Sequence, residues 1–345
     1  MKVLSASVIL VLAAALIFGC AERNDPAGPG SSGIRYISQM AAQGIANDIA
    51  VANGRVYIAD EPYGISIYDV SSPLSPLLLQ VIPLPGTNTK ASKIAVDPTG
   101  RVACVETGSQ GQLHFYDLNN GNYLNWRGSG GHEEIDLVYE NSELHIYRCD
   151  QSETDGFNYE VFANIGTEDS LSFGSLGAPT FFSVYQEIYS LYGFARTDND
   201  IAFISRDARG LAIVDFNVPN SATMIAEINP SGRVRDASLV GDVLCLAAGY
   251  DGLITLDVSD PSAPEIMGTL AIQNATDIKW VETSGSLAFL LDDFDGVFAV
   301  DLSNPNNPTL MGEVNLSDPS GICIDGDYIY ISDRDMGLVV CKITG

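Results

Sequence analysis

The chain has 345 residues, of which 46% are hydrophobic, so it is long enough to bury a large core. It carries 17 Lys and Arg against 44 Asp and Glu, which gives a formal net charge of −27. A surface this acidic repels phosphate backbones, and we therefore expect no nucleic-acid partner. The 33 glycines and 16 prolines, with only 18% charged residues, favour an all-β chain with many tight turns.

The first 19 residues have the features of a signal peptide. Lys2 is followed by an apolar run over residues 8–18, which is too short to span a bilayer as a helix. The run ends at residues 17–20 (IFGC), which resembles the lipobox of bacterial lipoproteins, although Phe18 departs from the usual small residue. The resemblance implies cleavage before Cys20 and lipidation of that cysteine. The alternative is an ordinary secretory signal followed by an incidental cysteine.

The next residues indicate how the chain would be held. Residues 20–33 (CAERNDPAGPGSSG) are rich in Gly, Pro and Ser, and we expect the lipidated Cys20 and a flexible tether here. In the lipoproteins that the lipobox resembles, an aspartate after the cysteine marks inner-membrane retention, whereas this chain has Ala21. The expected location is the cell envelope, in the outer membrane or at the cell surface, with the lipid anchor as the only membrane contact.

An alternating apolar run that ends in aspartate recurs along the chain. It is found at residues 65–69 (ISIYD), 113–117 (LHFYD), 211–215 (LAIVD), 253–257 (LITLD) and 297–301 (VFAVD). A last copy at residues 338–341 (LVVC) has Cys341 in place of the aspartate. The aspartates are 48, 98, 42 and 44 residues apart, so the long interval contains one degenerate repeat at residues 133–174. Seven repeats result.

Each repeat reads as four short strands, and a Ser- and Pro-rich turn follows the aspartate, as in residues 69–76 (DVSSPLSP). Aspartate and serine bond nearby backbone amides and proline presets φ. We therefore interpret the aspartate as a turn former and not as a catalytic group.

The two ends of the chain complete each other. The last repeat stops after its third strand, whereas residues 36–40 (YISQM) match the fourth strand 266–270 (IMGTL) and have no strands before them. An N-terminal strand that completes the last sheet closes a ring and removes exposed edges. We predict an all-β fold: one seven-bladed β-propeller of four-stranded blades over residues 34–345, closed by the N-terminal strand.

The recurring runs resemble those of the LVIVD-repeat family of β-propellers, found in bacterial and archaeal envelope proteins. The resemblance covers nearly all of the chain after the tether, with the third repeat weak and lacking its aspartate. It implies a propeller fold and an envelope location. It implies no active site, because the family has none to carry over.

One face of the predicted propeller gathers acidic loops and three aromatic tips, Tyr63, Tyr250 and Phe294. The charged residues of these loops are Asp60, Glu61, Glu106, Arg206, Asp207, Asp251, Asp292, Asp293, Asp295, Asp333 and Asp335. Aromatic residues anchor interfaces, so one interpretation is a binding surface. The other is that the aspartates form turns and the aromatics fill gaps. Residues 292–296 (DDFDG) suggest calcium but lack the EF-hand spacing, which favours a solvated turn.

Polar residues open the predicted first strands, namely Asp48, Lys93, Glu134, Asp236 and Asp277. Because first strands line the central channel, these side chains are placed to hold a cation or small ligand at its mouth. The alternative, which we favour, is that they accept backbone amides and stabilise the ring. We assign no metal to them.

The largest irregularity is at residues 178–191, between predicted blades three and four. It contains Phe181, Phe182, Tyr185 and Tyr189. Extra sequence between repeats usually maps to loops on one face, often the binding face, so we predict a partner or ligand contact here. The alternative is a lid over the degenerate blade.

Residues that mark common enzymes are missing from the sequence. The three histidines, His114, His132 and His145, lie in different local contexts, and no C-x-x-C pair is found. No nucleophile elbow, zinc-protease helix or phosphate-binding glycine loop is present, and we expect no cofactor. We predict a binding or scaffold module whose loops contact another envelope protein or an extracellular polymer. The alternative is a glycan-acting hydrolase or lyase, which two carboxyl groups about 5–10 Å apart in the funnel, beside an aromatic platform, would favour.

Overall fold

The structure is a computed structural model. It describes residues 32–86, 90–107, 111–127, 132–140, 143–150, 157–163, 166–167, 170–171, 180–185, 191–217, 222–273 and 275–344. The described residues form seven four-stranded antiparallel sheets and one two-stranded ribbon. The predicted seven-bladed all-β propeller is confirmed.

Blades 1 to 3 follow one another along the chain. Blade 1 contains β2 (Ile45–Ala52), β3 (Arg55–Glu61), β4 (Gly64–Asp69) and β5 (Leu77–Ile82). Blade 2 contains β6 (Ala91–Val96), β7 (Val102–Thr107), β8 (Gln112–Asp117) and β9 (Asn122–Arg127). Blade 3 contains β10 (His132–Glu140), β11 (Glu143–Asp150), β12 (Phe157–Ala163) and β15 (Thr180–Tyr185), with the ribbon β13 (Gly166–Thr167) and β14 (Ser170–Leu171) between the last two.

Blades 4 to 6 repeat the same strand order. Blade 4 contains β16 (Phe194–Arg196), β17 (Ile201–Ser205), β18 (Leu211–Asp215) and β19 (Thr223–Ile228). Blade 5 contains β20 (Asp236–Val240), β21 (Val243–Ala247), β22 (Leu253–Asp257) and β23 (Glu265–Leu270). Blade 6 contains β24 (Ile278–Ser284), β25 (Leu287–Asp292), β26 (Gly296–Asp301) and β27 (Thr309–Val314).

Blade 7 joins the two ends of the chain. It contains β28 (Pro319–Asp325), β29 (Tyr328–Asp333) and β30 (Gly337–Thr344), and its fourth strand is β1 (Gly33–Met40). β1 pairs antiparallel with β30, from Gly33 opposite Thr344 to Met40 opposite Leu338. The predicted closure by the N-terminal strand is confirmed.

The core lies between neighbouring sheets, where alternate residues of each strand interlock with the next blade. Phe203 and Phe289 are fully buried at one repeated position of the second strand, and Cys104 and Cys245 occupy it in blades 2 and 5. These thiols are free and act as small core hydrophobes.

The repeated aspartates form turns, as the sequence predicts. The carboxylates of Asp257 and Asp301 accept hydrogen bonds from the backbone N–H groups of Ser259 and Ser303, at 2.9 and 2.8 Å. In blade 7 the strand register places Lys342, and not Cys341, at the position of the aspartate, because Lys342 pairs with Tyr328 as Asp301 pairs with Leu287.

Blade 3 is longer than the sequence indicates. Residues 180–185 form its outer strand, paired with β12, and are not a loop between blades three and four. The extra sequence of this region therefore lies between the third and fourth strands of blade 3, where β13 and β14 form a short hairpin.

Candidate functional site

The seven inner strands surround an axial cavity of about 640 Å³. Such a volume accommodates a small organic molecule. Six of the seven blades contribute at least one acidic or basic side chain to its wall, and blade 4 contributes Tyr192 and Gly193.

The upper part of the wall is one repeated strand position, which we call the upper ring. Six of its members are paired with the same position of the second strand, and Gly193 accepts a backbone hydrogen bond from Ser205 at that position. From blade 1 to blade 7 the upper ring consists of Asp48, Lys93, Glu134, Gly193, Asp236, Trp280 and Gly321.

The three acids of the upper ring link neighbouring blades. Asp48 accepts a hydrogen bond from Ile94 N of blade 2 at 2.9 Å. Glu134 accepts one from Phe194 N of blade 4 at 2.5 Å, and Asp236 accepts one from Val281 N of blade 6 at 3.0 Å. Each donor directly follows the upper-ring residue of the next blade. These hydrogen bonds support the interpretation that the acids accept backbone amides and stabilise the ring.

Asp277 lies outside the upper ring, at the rim of the cavity. The register of β24 places Trp280 at the upper-ring position, and Asp277 precedes it by three residues, so the predicted place of Asp277 among the residues lining the ring is wrong. Asp277 Oδ2 lies 3.3 Å from the guanidinium of Arg235, which also packs over the ring of Tyr192 at 4.7 Å. The rim is thus an ionic and aromatic cluster of blades 4, 5 and 6.

Glu134 and Asp236 converge from opposite sides of Gly193. A Cβ added to Gly193 would collide with Asp236 Oδ1 and would lie 3.0 Å from Glu134 Oε2, so only glycine fits between them. Burial and repulsion by Asp236 hold the pKa of Glu134 well above its usual range. Burial raises the pKa of Asp236 to about 7. Two close carboxyl groups in one apolar wall are difficult to ionise together.

Glu282 lies two residues further along β24 and therefore deeper in the cavity. Burial, with repulsion by Asp236, raises its pKa to about 8. Among the described residues it has neither a hydrogen-bond donor nor a cation as partner. Sequence reasoning missed Glu282, because a lone glutamate in an apolar strand carries no signal until the register is known.

The opposite side of the cavity is partly neutralised. Burial raises the pKa of Asp48, and nearby Lys93 opposes that shift. Lys93 Nζ lies 5.8 Å from the ring centre of Trp280, and Lys279, which pairs with Asp293, lies 5.9 Å from the same ring. Within the described residues, no group of three or more His, Cys, Asp or Glu is arranged to hold a metal ion.

On the loop face, several aspartates act as buried turn formers. Asp333 is fully buried and accepts backbone hydrogen bonds from Ser317, Asp318, Asp335 and Met336 at 2.8–3.2 Å.

Asp292 has the same role in blade 6. It accepts four backbone hydrogen bonds, and these bonds hold its pKa below the usual range despite its burial. Its oxygens are therefore committed to the turn, and the calcium interpretation of residues 292–296 loses its first ligand. The turn is anchored by a buried carboxylate and not merely solvated.

We expect Asp333→Ala to lower the free energy of unfolding by about 2–4 kcal/mol, because it leaves buried N–H groups without an acceptor. Asp335→Ala, two residues further in the same loop and exposed, is the matched control and should change it by less than about 0.5 kcal/mol. Urea denaturation of both variants measures the difference. Equal effects would contradict the turn-forming role.

The three aromatic tips are exposed. Tyr63, Tyr250 and Phe294 have 48%, 71% and 67% of their surface accessible. They lie in the second-to-third strand loops of blades 1, 5 and 6, and only blade 7 separates blades 6 and 1 in the ring. We call this group the aromatic arc. The gap-filling interpretation of these three residues does not fit their exposure.

Three of the four aromatic residues predicted as a partner contact lie in a described strand. Phe181, Phe182 and Tyr185 lie in the outer strand of blade 3, with their backbones paired to β12. Tyr189 lies outside the described residues.

Two of the three histidines lie beside tyrosine side chains. His114 is buried and its ring lies 5.7 Å from that of Tyr123, and burial lowers its pKa. His145 Nδ1 lies 2.7 Å from Tyr159 Oη. His132 begins β10.

Together these features define a seven-bladed β-propeller with an acidic axial cavity and an aromatic arc on its loop face. Residues 43–81, 231–271, 277–316 and 318–343 match the LVIVD repeat family. Four of the seven blades therefore match the LVIVD repeat. The matched stretches correspond to blades 1, 5, 6 and 7, which are neighbours in the ring and include the whole aromatic arc.

Solved structures with the same fold are distant in sequence. The computationally designed Ika8 protein is 11% identical with a TM-score of 0.59, covering 89% of this chain and 99% of its own. U3-55K is 12% identical with a TM-score of 0.63 (92% and 100% covered), and the RRP9 WD40 repeats have the same identity and TM-score (91% and 98%). These likenesses establish the fold alone. A search of curated proteins finds no match.

A helix long and apolar enough to cross a membrane is not found in the described part of the chain.

Proposed function

We propose that this protein is an envelope-anchored binding module whose aromatic arc contacts another envelope protein or an extracellular polymer. The observation that carries the proposal is the exposure of Tyr63, Tyr250 and Phe294 on loop tips of one contiguous part of the ring. Large aromatic side chains projecting from rigid blades bind with little loss of conformational freedom.

The loops beneath the arc support this function because they are stiff. The loop of Phe294 is fixed by the buried carboxylate of Asp292, which accepts hydrogen bonds from Phe294 N and Asp295 N. Buried Asp60, before Tyr63, ties its loop to the neighbouring one by accepting hydrogen bonds from the backbone of residues 43 and 44. Asp60 also accepts a hydrogen bond from Ser66 Oγ at 2.6 Å. The aromatic tips are thus held in place before a partner arrives, which reduces the entropic cost of binding.

The proposed anchor fits this arrangement. β30 starts at Gly337 on the loop face and ends at Thr344 on the opposite face, and Gly33 pairs with Thr344. The chain therefore enters the propeller from the face opposite the aromatic arc. With Cys20 lipidated and residues 20–33 as tether, the arc is directed away from the membrane that holds the anchor.

Crosslinking in cells, followed by mass spectrometry of what copurifies, tests the proposal. We expect one dominant protein or polymer partner, whose recovery falls at least about tenfold when Tyr63, Tyr250 and Phe294 are all changed to Ser. The matched control changes Met224, Ile266 and Leu310 to Ser, because these outer-strand residues are 47%, 48% and 44% exposed but lie away from the arc. Equal recovery from both triple variants would refute the assignment of the arc.

A glycan-acting enzyme is the second candidate, favoured by one observation. Glu134 and Asp236 converge in the funnel, and Trp280 belongs to the same upper ring. However, both oxygens of Asp236 accept backbone hydrogen bonds, from Ala237 N and Val281 N, which leaves it poorly suited as a nucleophile or base. Release of reducing sugars from envelope glycans, abolished by Glu134→Gln, would establish the enzyme instead.

A further inference from the structure

Glu282 is a half-buried carboxyl group that lines the axial cavity and has no hydrogen-bond or ion-pair partner among the described residues. A buried ionisable group in this state costs stability, so its presence in the middle of β24 requires an explanation. The other acids of the wall differ from it. The three acids of the upper ring accept hydrogen bonds from backbone N–H groups of another blade. Asp136 forms an ion pair with Arg196 at 2.9 Å.

The groups that face Glu282 are mainly acidic. Asp236 of blade 5 repels it, and Glu134 of blade 3 is in turn raised in pKa by Glu282. Burial, with repulsion by Glu282 and Asp48, raises the pKa of the Cys323 thiol of blade 7 well above its usual range. Lys93 of blade 2 is the cation that acts on Asp236 and Asp48. One side of the cavity therefore lacks compensating positive charge.

Two polar atoms at the rim of the cavity are buried and lack a hydrogen-bond partner among the described residues. They are Asp277 Oδ1 and Arg235 Nε. Both residues line the rim of the same cavity, above Asp236 and Glu282. The rim and the level of Glu282 thus both carry polar groups that lack a partner among the described residues, and both line the one cavity of about 640 Å³.

We propose that the axial cavity binds a small aliphatic amine, with its ammonium group in contact with Glu282 and attracted by the nearby charge of Asp236 and Glu134. A primary ammonium has three N–H donors and a full positive charge, so one carboxylate in contact and others close by are enough to bind it. A bare metal ion fits less well, because it needs several ligands around one point and no three of the described acids are arranged in that way. The alkyl chain of the amine extends towards the rim, where Trp280 and Tyr192 provide apolar surface.

Protons and amines compete at this site. Glu282 must lose its proton before it can bind an ammonium ion, and burial makes that loss difficult below pH 8. Binding is therefore expected to strengthen as the pH rises from 6 to 8.5, while the ammonium itself, with a pKa near that of lysine at about 10.4, stays charged.

Isothermal titration calorimetry of the purified protein with 1,4-diaminobutane tests the proposal. We expect binding at pH 8.5, at least about tenfold weaker binding at pH 6.0, and loss of at least about tenfold in affinity at pH 8.5 for Glu282→Gln. Glu265→Gln, on the exposed outer strand of blade 5, is the matched control and should bind as the wild type does. 1-Butanol, which lacks the charge, should not bind.

Cys323 offers a second readout inside the cavity. It is the one partly accessible thiol among the five cysteines of the described residues. Bound 1,4-diaminobutane should change the rate of its alkylation by iodoacetamide, because the ammonium covers the thiol and offsets the acidic charges that raise its pKa, and should not do so in Glu282→Gln. The site is wrong if the wild type binds no amine at millimolar concentration, if Glu282→Gln binds equally well, or if Mg²⁺ or Ca²⁺ binds in place of the amine. None of these outcomes depends on whether the aromatic arc binds a partner.

Discussion

A chain that begins at Ala41 will have a melting temperature at least about 10 °C below that of a chain that begins at Ser32. The shorter chain lacks β1, so β30 loses its partners from Leu338 to Thr344 and becomes an exposed edge. It also loses Ile34, which is fully buried in the core shared by blades 6 and 7. Calorimetry of the two chains measures the difference.

Complementation provides the control for this deletion. A synthetic peptide of residues 32–42 should add to the shorter chain and recover most of the lost melting temperature. The same peptide with Ile34→Asp should not, because it would bury an unpaired carboxylate in the apolar core shared by blades 6 and 7. A shorter chain as stable as the longer one would mean that the ring does not depend on this closure.

The sequence was sufficient to predict the ring because the signals that define a blade are local. The alternation of residues 253–257 and the turn after Asp257 are each decided within a few residues. The match between residues 36–40 and a fourth strand then predicted how the ends meet. Repetition supplied the rest, since one uncertain strand is clarified by its counterparts in other blades.

The cavity was less predictable because its geometry depends on bulges. Asp277 and Asp236 look equivalent in the sequence, yet the register of β24 places Trp280 in the upper ring and leaves Asp277, three residues earlier, at the rim. A bulge precedes the upper-ring residue in blades 1, 2, 3, 6 and 7, so the alternation of side chains is interrupted at this point. A one-residue shift reverses which side chains face the axis, and nothing in the local sequence marks it. The same shift conceals Glu282, which faces the cavity only in the observed register.

Blade 3 illustrates a different limit. Its outer strand, residues 180–185, follows a hairpin insertion. The third strand before that insertion does not end in the usual aspartate and Pro-rich turn. Without that turn signal the aromatic residues there resemble a surface loop, although their backbones complete a sheet. The prediction was wrong about the element because strand pairing over such a distance has no local signature.

Glu282→Gln will raise the stability of the protein at pH 8.5 by about 2–4 kcal/mol and leave it nearly unchanged at pH 5. In the folded protein burial raises the pKa of Glu282 to about 8, whereas the reference value is 4.5. Between these values the unfolded chain releases the proton and the folded protein retains it. The wild type therefore loses stability as the pH rises from 4.5 to 8, and glutamine, which has no proton to release, does not. Urea denaturation across this range measures the difference.

The comparison of the two proteins isolates Glu282 from the other titrating groups. Asp236, with a pKa raised to about 7, destabilises both proteins as the pH rises, but less so the variant, in which the repulsion between Glu282 and Asp236 is lost. The lowered pKa of His114 acts in the opposite direction in both proteins, since its unfolded form gains a proton below its reference value of 6.5. The His114 contribution cancels in the difference and the change at Asp236 adds to it, so the difference should grow from pH 5 to pH 8 and then level off. A difference that is constant with pH would show that Glu282 is not held protonated, and Glu265→Gln should show none at any pH. Because Glu282→Gln is expected to gain stability while losing amine affinity, a loss of binding in this variant cannot be attributed to unfolding.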